Sequence, residues 1–353
     1  MKNNHIFIKK ISVNNNNGLS KKKLDGIIFT RACCCVGVVI FHYFCHSRGD
    51  FKLLQTTANS SFGFIFVTGF FNISGAILYY NYPFIKSIKS FYFKRWKSLF
   101  PAFYICYLYF FFSLSIRFRK LLFKFKLKKL FVTILGLDGY FLYRSRTYYL
   151  LGEWFLGAII IIYILYPIIS FVVTKNFYGS LLIIFFLNIF MYFTNFFIII
   201  KSRNIITCIT SFYFGIISVK FKKFFFMNNI SFIISFVIFI LLSTIKIYPL
   251  EIIFQIQGFS FFIALTKIGQ YVIPKKYGII FIKINNLSYS IYLIHHRILY
   301  DLFSLNNPLE WYSHILYLSL ALLLIIIYSK IHLMVVDSIL KSNVFRKIEL
   351  LFI

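Results

Sequence analysis

Arg31 and His42, with ten residues between them, stand inside one apolar run, about 24–44. Wound as a helix, at about 100° and 1.5 Å per residue, that spacing puts both side chains on one face, about 16 Å apart. Charge inside a bilayer costs free energy, so such residues point to catalysis or transport. Taken alone, Arg31 also reads as an arginine snorkelling to the inner interface, and His42 as an interfacial histidine. A second polar group falls in the apolar run 284–304: Tyr289, Tyr292, His295, His296, Arg297 and Asp301. Tyr289, Tyr292 and His296 follow i, i+3, i+7 spacing and share a face. Arg297 and Asp301, four apart, are spaced to pair with each other. Glu153, in Gly152-Glu153-Trp154-Phe155, is either a working carboxylate or a solvated one beside an interfacial tryptophan. Lys94, Arg95 and Lys97 precede Pro101, where basic residues also anchor a helix on the inner side. Asp25 reads as the N-cap of the first helix.

These residues need a membrane around them. The chain has 353 residues, is 60% hydrophobic and only 14% charged, with a mean hydropathy of +0.80. Soluble domains run near half apolar and about a quarter charged. Apolar runs such as Ile159–Val173, Leu181–Ile200 and Ile315–Tyr328 approach the roughly 20 residues a helix needs to cross hydrocarbon. The expected fold is therefore all-α and polytopic, with about ten transmembrane helices near 24–44, 62–80, 99–116, 151–173, 178–200, 205–219, 230–246, 250–268, 284–304 and 313–329. The short, polar-tinged 205–219 is the weakest of them.

A net charge of +30 would suggest nucleic acid in a soluble protein. No nucleic-acid-binding motif accompanies it, and the basic residues sit in short loops facing an anionic lipid surface. Lys and Arg are more numerous on the side that holds the N-terminus, which places both termini in the cytoplasm. The basic residues between Arg117 and Arg146 run against that bias; their alternation with Phe and Leu suits an amphipathic segment on the membrane surface. The six cysteines include Cys33, Cys34 and Cys35 in a row and no C-x-x-C pair or Cys/His metal spacing, so no metal is expected. Residues 1–23 carry no signal-peptide h-region, and the first apolar helix is expected to be retained.

In order along the chain, these motifs resemble one family. Leu24-Asp25-Gly26 with Arg31 and His42 is similar to the opening motif of the membrane acyltransferase-3 family. Phe70-Phe71-Asn72-Ile73-Ser74-Gly75 resembles its second-helix "FF-x-x-SG" run. Lys94-Arg95-Trp96-Lys97-Ser98-Leu99-Phe100-Pro101 resembles its basic segment before a proline. Gly152-Glu153-Trp154-Phe155-Leu156, through Tyr163 to Pro167, resembles its "W-F-L…Y…P" helix. Leu287-Ser288-Tyr289-Ser290-Ile291-Tyr292-Leu293-Ile294-His295 resembles its "S-Y-x-I-Y-L-x-H" motif. The likeness spans about 24–337. Members often carry an arginine three residues before the proline, where this chain has Ser98, and a proline after the late histidine, where it has Arg297.

The resemblance implies an acyl-CoA donor, usually acetyl-CoA, used from the cytoplasm. It implies a hydroxyl acceptor on a surface polysaccharide or lipid-linked saccharide, at the plasma membrane of the cell. It places Arg31 and His42 at the catalytic centre. Donor phosphates would rest among Arg31, Arg95 and Lys97, because guanidinium pairs well with phosphate. His42 would act as general base, with Glu153 orienting it or the sugar, and Tyr289, Tyr292 and His295 in support. The expected organisation is a basic tail over 1–23, an acyltransferase domain over 24–337 and a cytoplasmic tail over 338–353. Two other classes fit the composition: a flippase or transporter of a lipid-linked saccharide, and a non-catalytic membrane sensor or scaffold.

Overall fold

The computed structural model describes residues 21–47, 53–117, 119, 127–144, 151, 154–194, 199–248, 250–304, 310 and 312–352. Among them there is no strand, only helices and turns. In chain order the helices are α1 (Lys21–His46), α2 (Phe62–Asn81), α3 (Ile88–Arg117), α4 (Leu127–Ile134), α5 (Asp138–Phe141), α6 (Trp154–Lys175) and α7 (Phe177–Phe193). Then come α8 (Ile205–Lys220), α9 (Ile230–Thr244), α10 (Leu250–Val272), α11 (Gly278–Phe303), α12 (Ser313–Lys341) and α13 (Asn343–Leu350). Side-chain caps fix several starts: Ser61 accepts from Phe64 N at 3.3 Å, Asn176 from Gly179 N at 2.8 Å, and Asn204 from Ile206 N at 2.9 Å.

Each expected apolar segment overlaps a helix. Six are long and apolar enough to cross a membrane: Asp25–His46, Phe62–Asn81, Ile88–Arg117, Trp154–Lys175, Ile252–Val272 and Ser313–Lys341. α7, α8 and α9 are apolar but shorter. α11, with 26 residues, is long enough but is interrupted by polar side chains. The expected figure of about ten spans thus goes beyond the six that length and composition support. The largest boundary differences are at α12, which runs on to Lys341, and at α3, which begins at Ile88 and takes the Lys94–Lys97 segment into the helix. α1 begins at Lys21, so Asp25 lies inside it and is not its N-cap.

α1 is central and packs against α2, α10 and α11; Thr30 and Thr266 tie it to α10 through hydroxyls 3.0 Å apart. Large apolar side chains on α7, α9 and α12, including Phe186, Ile233 and Leu316, point outward, as lipid-facing surfaces do. α2 and α8 approach most closely. A Cβ at Gly75 would meet the Phe212 carbonyl, and one at Gly215 the Asn72 carbonyl, the small-residue packing that membrane helices use. Pro101 lies within α3, which runs on through it, and carbonyls on either side of it accept from other helices. Tyr289 donates to Leu99 O at 3.0 Å and His332 to Ala102 O at 2.9 Å. Since His332 Nε2 donates, its Nδ1 accepts from Ser290, at 2.9 Å. The basic stretch after α3 is described only in part: α4 and α5 turn back on α3, where Tyr104 donates to Ile134 O at 2.7 Å. Phe131 on α4 is exposed while Thr133 and Asp138 are buried.

Two predictions follow from this packing. Gly215→Val places side-chain atoms against a backbone carbonyl, and overpacking of this kind costs about 1–3 kcal/mol. Its melting temperature in detergent should fall, while Ile233→Val on the exposed face of α9 should leave it unchanged; equal melting would refute the close-approach account. At Asp138, burial pushes the carboxyl up to about 6, against the Thr133 hydroxyl that donates to it at 2.9 Å. A raised carboxyl favours the protonated fold, so the stabilisation is present in acid and is lost as pH rises from about 4 to about 6. Amide-exchange protection of 127–141, corrected for intrinsic rate, should fall over that window, and Asp138→Asn should flatten the dependence.

Candidate active site

The two ends of α1 meet different partners. Towards its C-terminal end His42 faces α11: its ring lies 4.0 Å from that of His296 and 5.4 Å from that of His295. His295 is fully buried. Its Nδ1–H donates to the carbonyls of Tyr292 at 2.8 Å and Ile291 at 3.0 Å, which fixes its tautomer. His46, one turn beyond His42, has Nε2 3.1 Å from His296 Nδ1.

His42 also lines a cavity of about 100 Å³ with Phe41, Phe64, Phe70, Trp154, Phe155, Arg203 and Tyr292. Five elements build it: α1, α2, α6, α11 and the turn before α8. Phe155 comes from the first turn of α6, where the Tyr292 hydroxyl accepts the Leu156 N–H at 3.1 Å. Arg203 ends the turn Lys201–Arg203 that leads to the Asn204 cap of α8, and its guanidinium lies over the Trp154 ring at 5.6 Å. Arg203 also acts electrostatically on His42. The cavity therefore joins an imidazole, a guanidinium and a phenol with aromatic faces, groups that can bind a hydroxyl and take its proton.

At the other end, Arg31 is within electrostatic reach of Tyr163 on α6. The Arg95 guanidinium packs against the same Tyr163 ring at 5.8 Å, and against Tyr82 at 5.5 Å and Phe91 at 5.9 Å. Among the described residues, neither arginine is paired with a carboxylate, and Arg95 Nε is buried without a hydrogen bond. Tyr289 interacts with Tyr163 and stacks near-parallel on Tyr292, ring centres 6.2 Å apart, so α11 runs an aromatic column between the two ends.

The structure thus sets Arg31 and Arg95 each beside Tyr163, and brings His42 together with Tyr292 and His295. Lys97 goes elsewhere. Two residues on from Arg95, roughly 200° around α3, it forms an ion pair with Glu349 of α13 at 2.6 Å and covers the Phe345 ring. Glu153 lies outside the described residues. Arg297 pairs with Asp301 at 2.7 Å, as their spacing suggested, and Arg117 joins at 3.3 Å. Sequence reasoning missed Arg203 and His46. No spacing marks Arg203; its one signal is a basic residue next to the polar-tinged start of a short helix.

A family model described as an acyltransferase domain matches residues 24–330. No curated protein and no solved structure matches the chain.

The site geometry gives one test independent of any reaction. Tyr292→Phe leaves the Leu156 N–H, an otherwise orphaned donor in the first turn of a helix, without its acceptor. Stability should drop by about 0.5–1.5 kcal/mol, with faster amide exchange at the start of α6 and normal exchange in α10. Unchanged exchange at Leu156 would show that the phenol does not hold α6.

Proposed function

The chain belongs to the membrane acyltransferase-3 family, and on that premise we propose that it is an O-acetyltransferase, using cytoplasmic acetyl-CoA to acylate a hydroxyl of a cell-surface saccharide. The observation that carries this reading is the division of labour along α1. Arg31 shares Tyr163 with Arg95 at one end, and His42 lines the aromatic cavity at the other.

Two unpaired guanidiniums around one ring repel each other, and an anion between them offsets that repulsion. Donor phosphates supply such an anion, with bidentate geometry that arginine suits and lysine does not. Lys97 reaches a phosphate only by leaving Glu349, so its part is smaller than that of Arg31 or Arg95. The pantetheine arm then spans the roughly 16 Å to His42. His42 takes the hydroxyl proton as the hydroxyl oxygen attacks the thioester carbonyl. The tetrahedral intermediate collapses, the C–S bond breaks, and the departing thiolate takes up a proton to leave as free CoA. Arg203 is placed to hold acceptor oxygens beside Trp154, and Tyr292 fixes the wall between α6 and α11. Glu153, adjoining Trp154 in sequence, is assigned to orient His42 or the sugar. In this reading the protein sits in the plasma membrane with both termini in the cytoplasm.

Substitutions at the two stations should fail differently. His42→Ala should bind CoA nearly as wild type while losing about 10²–10⁴ in transfer, the usual cost of removing a general base. Arg31→Ala should need more donor, with turnover returning at high concentration, and Arg31→Lys should rescue only in part. The measurements are CoA binding by the purified chain in nanodiscs and the acetyl content of surface glycan by mass spectrometry, at matched expression. Near-normal transfer by His42→Ala sinks the reading, as does impaired glycan export with acetylation unchanged.

A further inference from the structure

Three histidines from two distant parts of the chain meet at the wall of the cavity. His42, His295 and His296 each offer a ring nitrogen, and these atoms lie within 4.8 Å of one another. On His295 and His296 the outer nitrogen is held in the way that metal-ligating histidines are held. His295 donates Nδ1–H to the carbonyls of Tyr292 and Ile291, so its Nε2 carries the lone pair, and that atom is buried without a hydrogen-bond partner. His296 meets His46 through Nδ1 at 3.1 Å; in the tautomer where His296 donates, its Nε2 is likewise an acceptor.

We propose that His42, His295 and His296 are the protein ligands of a site for a zinc-class transition-metal dication. Imidazole suits zinc, copper, nickel and cobalt, and three protein ligands with one open position are the common form of a reactive zinc site. Bonds of about 2.0–2.1 Å in tetrahedral geometry put ligand nitrogens about 3.4 Å apart, so the widest pair must draw in by roughly 1–1.5 Å. Ring rotation supplies that without backbone movement. Three neutral imidazoles leave the dication uncompensated, and Arg203, which acts electrostatically on His42, adds positive charge. The fourth position therefore goes to an anion, hydroxide or chloride. The sequence shows no local metal-ligand spacing, and His42 and His295 are 253 residues apart; helix packing creates the cluster.

One consequence rests on the acyl-transfer reading. A metal on His42 takes the lone pair that would accept the hydroxyl proton, so metal binding inhibits transfer.

The test uses the full-length chain purified in detergent without chelator and titrated with cobalt(II) chloride. Four-coordinate cobalt absorbs strongly in the visible. The expected result is saturation at one cobalt per chain, with the bands bleached by zinc. His296→Asn keeps a polar side chain beside His46 but removes a ligand. It should weaken cobalt binding by more than the roughly 10–100-fold that loss of an outer partner costs. His42→Ala, judged by the same spectrum, stands in if that variant does not fold. Absence of visible bands, or equal bands in wild type and both variants, overturns the site. In the second arm, zinc should suppress acetyl transfer, a chelator should restore it, and His296→Asn should lose the inhibition relative to its own zinc-free rate. Full transfer at a zinc concentration that bleaches the cobalt signal overturns the inhibition. Ligand-dependent cobalt bands in a chain that never transfers acetyl support the site and count against the acyl-transfer reading alone.

Discussion

Water does not reach the middle of a bilayer, so each polar group on α11 needs a partner within the protein, at a cost of several kcal/mol where it has none. That constraint sets the position of α11. Tyr289 donates to Leu99 on α3, Tyr292 accepts from Leu156 on α6, and Ser290 donates to His332 on α12. Together these bonds leave little freedom to rotate α11 about its axis. His295 and His296 are then carried to the side that meets α1, and the site follows from the register of one helix.

The same bonds join α3 to its neighbours on either side of Pro101. Proline removes the donor that would serve the Lys97 carbonyl, four residues back, while the carbonyls of Leu99 and Ala102 accept from Tyr289 and His332. These contacts tie α3 to α11 and α12 around the proline, and on the same helix Arg95 lies against Tyr163.

Much of the scaffold was legible because lipid imposes a simple pattern. Apolar runs between basic loops located the helices, and i, i+4 spacing gave the Arg297–Asp301 pair. The face shared by Arg31 and His42 followed from helix geometry alone. What stayed hidden depends on contacts between distant segments. Lys97 looks like Arg95 in sequence, and only the arrival of α13 assigns it to Glu349. Arg203 enters the cavity because Asn204 caps α8 at that point, which no local pattern announces. The start of α3 was placed too late because Lys94, Arg95 and Lys97 read as a basic anchor at the membrane surface, outside the apolar run. Their charges are instead accommodated by aromatic rings, Tyr82, Phe91 and Tyr163 for Arg95 and Phe345 for Lys97.

If Arg31 and His42 are the two stations of the proposed reaction, their placement on α1 has a physical consequence for the donor. A helix is stiff along its axis, and α1 is held on three sides by α2, α10 and α11, so the distance from Arg31 to His42 is set by about 1.5 Å per residue and not by hinge motion. The protein then has no need to carry an acyl group across by moving its own elements. A donor with a charged head and a long thin arm fits such a ruler, since the head stays where anions are stabilised while the arm reaches a drier place. A compact donor would leave one station empty. The aromatic column of Tyr289 and Tyr292 beside α1 suits that arm, because it offers apolar surface along the path while its hydroxyls are already engaged with Leu99 and Leu156.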